Sequence, residues 1–293
     1  MRKWIEAMRL RTLPVSISGV LAGVACALMQ GNFRFVPALL CLLFAILAQI
    51  ASNFANEYYD YKNGVDRKGR QGFRRGVTEG DIFPSAMKYA TFGTLLSAAC
   101  VGCLMLFYGG WWLIPVGLCI GLFALAYSAG PYPLSHHGLG DIAVVVFFGV
   151  VPVTLTCYLQ QGCWDGLRLY LPVSVAVGLM AANVLIVNNY RDKDDDKAVG
   201  KNTTVVIFGR KIMGWVYLCS GIVATGIVCA VLNGCYFALV APAAYLFLHF
   251  ATWKELVARS GAALNPILGA TARNLLIFTL LFTAAAMFEF YTL

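Results

Sequence analysis

The chain has 293 residues, 60% of them hydrophobic and only 12% charged, with a mean hydropathy of +0.73 and a net charge of +8. A soluble domain carries about twice that charged fraction, so the composition excludes an ordinary water-soluble fold. The basic residues sit in short stretches between apolar runs, which leaves a nucleic-acid-binding function little support.

A helix needs roughly 20 largely apolar residues to cross a bilayer. Runs of that kind are predicted at 14–30, 35–55, 86–108, 111–129, 140–159, 169–187, 213–232, 236–251 and 274–290. The first is not expected to be a cleaved signal, because no Ala-x-Ala-like site closes it and an equally apolar run follows. Nine spans predict an all-α polytopic membrane protein, a single domain over 1–293. With the N-terminus in the cytoplasm, 20 of the 22 Lys and Arg fall inside. These are four before the first span, six from Lys62 to Arg75, Lys88, six from Arg191 to Lys211, and Lys254, Arg259 and Arg273. Only Arg34 and Arg168 fall outside, a strong bias by the positive-inside rule. The C-terminus then lies on the opposite side of a bacterial cytoplasmic (inner) membrane. Twelve of the 14 acidic residues share the cytoplasmic side, with Asp165 and Glu289 outside.

The second span ends in Asn53, Asn56, Glu57 and Asp60, which fall within about a third of a helical turn and make one polar face. Asn63-Gly64 then forms a turn that brings Asp66 back toward that face. Lys62, Arg67, Lys68, Arg70, Arg74 and Arg75 follow. Between the fourth and fifth spans, residues 127–141 are rich in Gly and Pro, hold His136 and His137, and end in Asp141. Asp141 is either a solvated helix start or part of the cavity wall. The sixth span ends in a second polar face of Asn188, Asn189, Asp192, Asp195 and Asp196, with Asp194 off that face and read as ordinary surface charge. Arg191, Lys193 and Lys197 interleave with it, and Lys201 follows Gly200. The ten Cys are scattered, with Cys100-Val-Gly-Cys103 inside an apolar run as the one Cys-x-x-Cys, and read as packing residues; the three His form no ligand set.

Carboxylates next to hydrocarbon are a functional signal. Two such faces opposed across a cavity offer oxygen ligands to Mg²⁺, which favours carboxylates together with substrate phosphate. The interleaved Lys and Arg suit an anionic substrate. A transporter would more naturally place its charges near the membrane midplane, and a structural subunit does not account for two magnesium-ready faces.

Asn53-x-x-Asn56-Glu57-x-x-Asp60-x-x-x-Gly64-x-Asp66, paired with Asn189-x-x-Asp192-x-x-x-Asp196-x-x-x-Gly200-Lys201, resembles the UbiA-type intramembrane aromatic prenyltransferases. The likeness runs from Arg9-Leu-Arg-Thr-Leu-Pro14 to Leu264-Asn-Pro-Ile-Leu268. Gly130-Pro-Tyr-Pro133, His137-Gly-Leu-Gly140, Asn188-Asn-Tyr-Arg-Asp192 and Asn265-Pro266 lean toward the menaquinone branch, which prenylates 1,4-dihydroxy-2-naphthoate. Two departures are Glu57, where the family usually has Asp, and Leu10, where Pro is frequent. The resemblance implies a nine-helix bundle with its active site on the cytoplasmic side. It also implies two Mg²⁺ bound with the diphosphate of a polyprenyl donor, and transfer to an aromatic acceptor with loss of CO₂. It casts Asn56, Asp60, Asp192 and Asp196 as the metal–diphosphate core, with Glu57 and Asp66 supporting the first motif. Asn53, Asn189, Arg74 and Lys201 become diphosphate-side groups, Tyr127 stabilises the allylic cation, and Asp141 lies on the acceptor side. The implied partners are the polyprenyl diphosphate, the acceptor and membrane lipid; nothing points to a protein partner. The acidic motifs do not separate naphthoate from 4-hydroxybenzoate or another aromatic acceptor.

Overall fold

The computed structural model describes residues 2–69, 71–232 and 236–292, without the side chains of 236–239, 291 and 292. Arg70 lies outside the described residues. The chain runs α1 (Arg2–Met8), α2 (Leu13–Met29), α3 (Phe35–Lys62), α4 (Pro84–Gly109), α5 (Leu113–Ala126), α6 (Gly140–Val144), α7 (Val151–Gln161), α8 (Leu167–Ala198), α9 (Thr204–Val231), α10 (Tyr236–Ala258) and α11 (Asn265–Thr292). No strand occurs among the described residues. Proline opens α2 and α4 within their first two residues, where its missing N–H costs nothing.

Among the described residues, seven helical segments are long and apolar enough to cross a membrane. Nine were expected from the sequence. Of the two outside that set, one is short. Helix α5 has 14 residues, about 21 Å at 1.5 Å per residue, against a hydrocarbon core of roughly 30 Å. Helix α10 has 23 residues, about 35 Å at that rise, and its first residues lie outside the fully described part of the chain. Helix α9 begins before the expected 213, because Gly209 (φ 82°, ψ 161°) breaks it and sets its first turn apart. Helices α3 and α8 run on past their apolar stretches and carry both acidic motifs in their last turns.

Helix α8 is the buried axis. Its Tyr170, Val173, Val177, Met180 and Val187 join one core with side chains of α2, α7, α9, α10 and α11. A second core, with Val20, Leu40, Met105, Leu113 and Leu159, lies between α2, α3, α4, α5 and α7. Small residues allow the closest approaches. A Cβ on Gly149 would stand 2.4 Å from the Gly178 Cα, and one on Gly23 would stand 2.7 Å from the Val153 carbonyl oxygen. Between α6 and α7, Val145–Val150 forms a π-turn. Pro152 follows it and has no N–H to give the Phe148 carbonyl, which favours the wider turn.

A third, small core of Ala7, Phe54, Val77, Ile82 and Met87 lies at the other end of α3. It fastens α1 and the 63–83 connection to α3, with Trp4 edge-on to Phe54 at 5.8 Å. Lys3 Nζ adds a bond to the Asp81 carbonyl, 2.5 Å.

Candidate active site

Gln49, Asn53, Asn56 and Asp60 are spaced four, three and four residues apart, so they form one stripe along α3. Asn53 Nδ2 donates to the Met8 carbonyl at 3.0 Å. The Asn56 side-chain oxygen accepts from Arg9 Nη2 at 2.6 Å and Arg75 Nη2 at 3.1 Å, and its nitrogen donates to Ser128 Oγ at 2.8 Å. Asp60 is buried beyond it. Gly64 takes the left-handed conformation (φ 69°), so Val65 N–H and Asp66 N–H both return to the Asp60 carbonyl, at 2.9 and 3.2 Å. The expected return of Asp66 toward the helix face is therefore present, and Arg75 Nε holds the Asp66 carboxylate at 3.3 Å.

The end of α8 repeats this cap. Gly200 (φ 74°) lets Lys201 N–H reach the Asp196 carbonyl at 2.9 Å, and Lys201 Nζ then lies 3.6 Å from the Asp196 carboxylate. In both motifs the acidic residue precedes its glycine by four and receives the N–H five residues on. Arg191 grips the Asp192 carboxylate through two bonds of 2.7 Å and also reaches Asn188 at 2.8 Å and Asn265 at 2.9 Å. Asn189 is buried. Asp194 is exposed and pairs with Arg210 at 3.0 Å, in keeping with its place off the polar face.

The 63–83 connection joins the two motifs. Gln71 N–H donates to Asp195 at 3.3 Å, its side chain accepts from Ala262 N–H at 3.1 Å, and its carbonyl accepts from Asn265 at 3.3 Å. The Phe73 ring lies under two guanidinium groups, Arg11 at 4.7 Å and Arg191 at 5.3 Å. Tyr127 stands between the motifs, within electrostatic reach of Asp141, Asp60, Arg9 and Asp196.

Three sequence-predicted residues sit differently from their assigned places. Glu57 is buried and turned toward the 63–83 connection, where it accepts from Val77 N–H at 3.1 Å; it anchors that connection to α3. Arg74 pairs with Asp81 at 2.6 Å with more than half of its side chain exposed, while Arg75 is the one that reaches the motif. Asn56 spends its oxygen on two arginines. Asp141 is no solvated helix start: one carboxylate oxygen accepts from Thr204 Oγ1, and the other is buried without a hydrogen-bond partner. The sequence reading missed Gln49, Arg75 as a site residue, and Arg9 beyond its place in a motif. The 4-3-4 spacing would have flagged Gln49. Nothing in an irregular connection distinguishes Arg75 from Arg74.

Below this polar layer lies a cavity of about 500 Å³, within the range of small-molecule sites. Gln49, Ser52 and Tyr127 line one end of it, and Leu106, Met105 and Leu113 the other, with Phe44, Phe147 and Phe148 between. Its wall is otherwise almost wholly apolar.

Among the described residues, no three His, Cys, Asp or Glu side chains form a ready-made metal cage. The donors at hand are carboxylate oxygens on two separate helix ends, with Arg75, Arg191 and Lys201 beside them. This donor set fits a hard cation that takes part of its coordination from a phosphate, and it fits poorly with zinc or another thiophilic metal.

The sequence pattern of the UbiA prenyltransferase family matches residues 16–265. The chain is 36% identical over 292 residues to the 1,4-dihydroxy-2-naphthoate octaprenyltransferase of Escherichia coli, covering 95% of this chain and 93% of that one. It is 34% identical over 235 residues to the enzyme of the same name from Haemophilus influenzae, covering 75% and 73%. Among solved structures, a UbiA homolog from Aeropyrum pernix K1 superposes with a TM-score of 0.70 at 15% identity, covering 94% and 97% of the two chains. A UbiA homolog from Archaeoglobus fulgidus bound to DMAPP and Mg²⁺ gives 0.67 at 16% identity, covering 99% and 100%.

Proposed function

The chain belongs to the UbiA prenyltransferase family, and on that premise we propose that it transfers a polyprenyl group from its diphosphate to 1,4-dihydroxy-2-naphthoate. The ring carbon gains the prenyl group as its carboxyl group leaves as CO₂ and a proton is released, giving diphosphate and demethylmenaquinone in its reduced, dihydroxy form. The observation that carries the reading is the pairing of two acidic helix ends, capped in the same way, above an apolar cavity. The acceptor is the one for which the Escherichia coli and Haemophilus influenzae relatives are named.

In this reading Asp60 and Asp66 would hold one magnesium ion and Asp192 and Asp196 a second. When bound, the metal supplies charge neutralisation on the departing diphosphate. Arg9, Arg75 and Lys201 add positive charge around the same group, and Asn56 orients the first two. Such preset charge favours the developing anion without reorganisation. Glu57 acts at one remove by anchoring the 63–83 connection, and Gln71 and Phe73 carry that connection across to the second motif. Asn53 fixes the N-terminal segment, and Asn189 packs within the second motif. Tyr127 turns an aromatic face toward the ionising allylic carbon. Asp141, with its unpartnered oxygen, lies on the acceptor side. The apolar cavity takes the isoprenoid nearest the reacting carbon, and the surrounding lipid takes the rest.

The protein then sits in the bacterial cytoplasmic membrane with the polar end of the bundle in the cytoplasm. In this reading the chain crosses nine times, with α10 as one crossing and the short α5 together with its flanking residues as another. The test is turnover by the purified protein with Mg²⁺ and an all-trans polyprenyl diphosphate. The expected result is prenylation and CO₂ release with 1,4-dihydroxy-2-naphthoate and none with 4-hydroxybenzoate. Prenylation of hydroxybenzoate alone would overturn the acceptor while keeping the chemistry.

A further inference from the structure

Arg9 has φ 53° and ψ 54°, the only positive φ outside glycine among the described residues. A left-handed arginine is disfavoured and persists only where its surroundings over-determine it. Here they do. Thr12 returns both its N–H and its Oγ1 to the Arg9 carbonyl, each at 2.9 Å, and Arg9 N–H donates to the Glu6 carbonyl at 3.1 Å. Asn53 takes the Met8 carbonyl from one side. Gln49 takes the other, donating to the Thr12 carbonyl at 2.8 Å and to Thr12 Oγ1 at 3.0 Å while its own oxygen accepts from Ser16 Oγ. Gln49 is buried, its amide wholly engaged within the protein, and it lies two turns of α3 away from Asn56. The outcome of this bracing is the Arg9 guanidinium, 2.6 Å from the Asn56 side-chain oxygen and beside that of Arg75.

We propose that Gln49 is a positioning residue for the transfer reaction. It holds residues 8–12 in their strained turn and so presents the Arg9 guanidinium to the diphosphate of the donor. The inference rests on the prenyl-transfer reading above and adds to it a residue that acts through another. Misplacing a charged group by about 1 Å can cost on the order of a hundredfold in rate, which is why a buried amide two helical turns from Asn56 matters here.

The experiment is a double-mutant cycle in full-length protein, read as kcat and KM for the polyprenyl diphosphate. Gln49→Leu is expected to raise KM for the donor and lower kcat/KM by roughly 10–100-fold. In an Arg9→Ala background the same change is expected to cost less than about threefold, because the group it positions is already gone. Gln49→Glu keeps the shape and removes the donor to Thr12. It serves as the second variant should the leucine fail to fold, and is expected to behave alike. KM for the aromatic acceptor should move little. Equal losses in both backgrounds would overturn the proposal, as would a loss confined to the acceptor KM, which would make Gln49 act on the acceptor through the cavity it lines rather than through Arg9. Absence of turnover in the unsubstituted protein would instead overturn the reading on which the proposal rests, and the proposal with it.

Discussion

At Asn56 a single amide oxygen accepts from two guanidinium groups, Arg9 at 2.6 Å and Arg75 at 3.1 Å, while the amide nitrogen is tied to Ser128. Such an amide sets the direction of two cations and has little capacity left for a metal. Polarity at residues 53–60 was legible from the sequence because helical periodicity puts Asn53, Asn56 and Asp60 on one face. The partners of that face were not, since they arrive from an N-terminal turn and an irregular connection that no periodicity describes. His136 shows the same limit. Burial, with Lys201 and His137 beside it, pushes its imidazole down from 6.5 to about 4, so the ring is neutral at pH 7. The unfolded chain takes up this proton near pH 6.5 and the folded chain only near 4. The unfolded state therefore binds more protons in between, and the stability present above pH 6.5 is lost as the pH falls toward 4. The midpoint of thermal unfolding is expected to fall more steeply from pH 7 to 5 in the unsubstituted protein than in His136→Gln. Equal slopes would contradict the burial of the ring.

At the scale of elements, α3 and α8 end in the same device, with an acidic residue, a left-handed glycine four residues on, and an N–H returning to the acidic residue's carbonyl. Both sequence patterns put a glycine four residues after the acidic residue, and the structure makes that spacing a shared geometry. Gly200→Val should uncouple Lys201 from Asp196, because a branched side chain disfavours φ 74° by about 1–2 kcal/mol. Reduced kcat/KM with the fold kept, by circular dichroism and melting, is the expected outcome; unchanged kinetics would remove Lys201 from the site. The π-turn at Val145–Val150 was not legible at all. It depends on Pro152 together with the contact between Gly149 and Gly178, residues far apart in the chain. A Cβ at Gly149 meets backbone of α8 at 2.4–2.6 Å, and backbone cannot turn aside as a side chain can. Gly149→Ala should therefore cost about 1–3 kcal/mol, seen as a lower melting temperature in detergent. An unchanged melting temperature would show that the two helices can separate without penalty.

For the whole molecule, composition alone required a bundle of membrane-length apolar helices, and the structure is one, with both acidic motifs at helix ends. Helix α3, the 63–83 connection, the 127–141 loop, α8 and the start of α11 all meet above one apolar cavity. The number of crossings was the weaker inference. Hydropathy counted the α5 run as a full span, whereas the helix stops at Ala126 where the Gly- and Pro-rich loop begins to shape the site. Apolarity reports what lipid tolerates, and helix ends are set by turns that serve the site.

The central claim is that the two acidic motifs act as one unit on one diphosphate. Steady-state kinetics of Asp60→Asn, Asp192→Asn and the double variant, each shown folded by melting and assayed with Mg²⁺ and the naphthoate, tests it most directly. Each single variant is expected to lose activity by roughly 10³-fold or more, and the double to lose little beyond either, as for groups that function together. Turnover retained by either single variant, or losses that simply multiply in the double, would contradict a shared site.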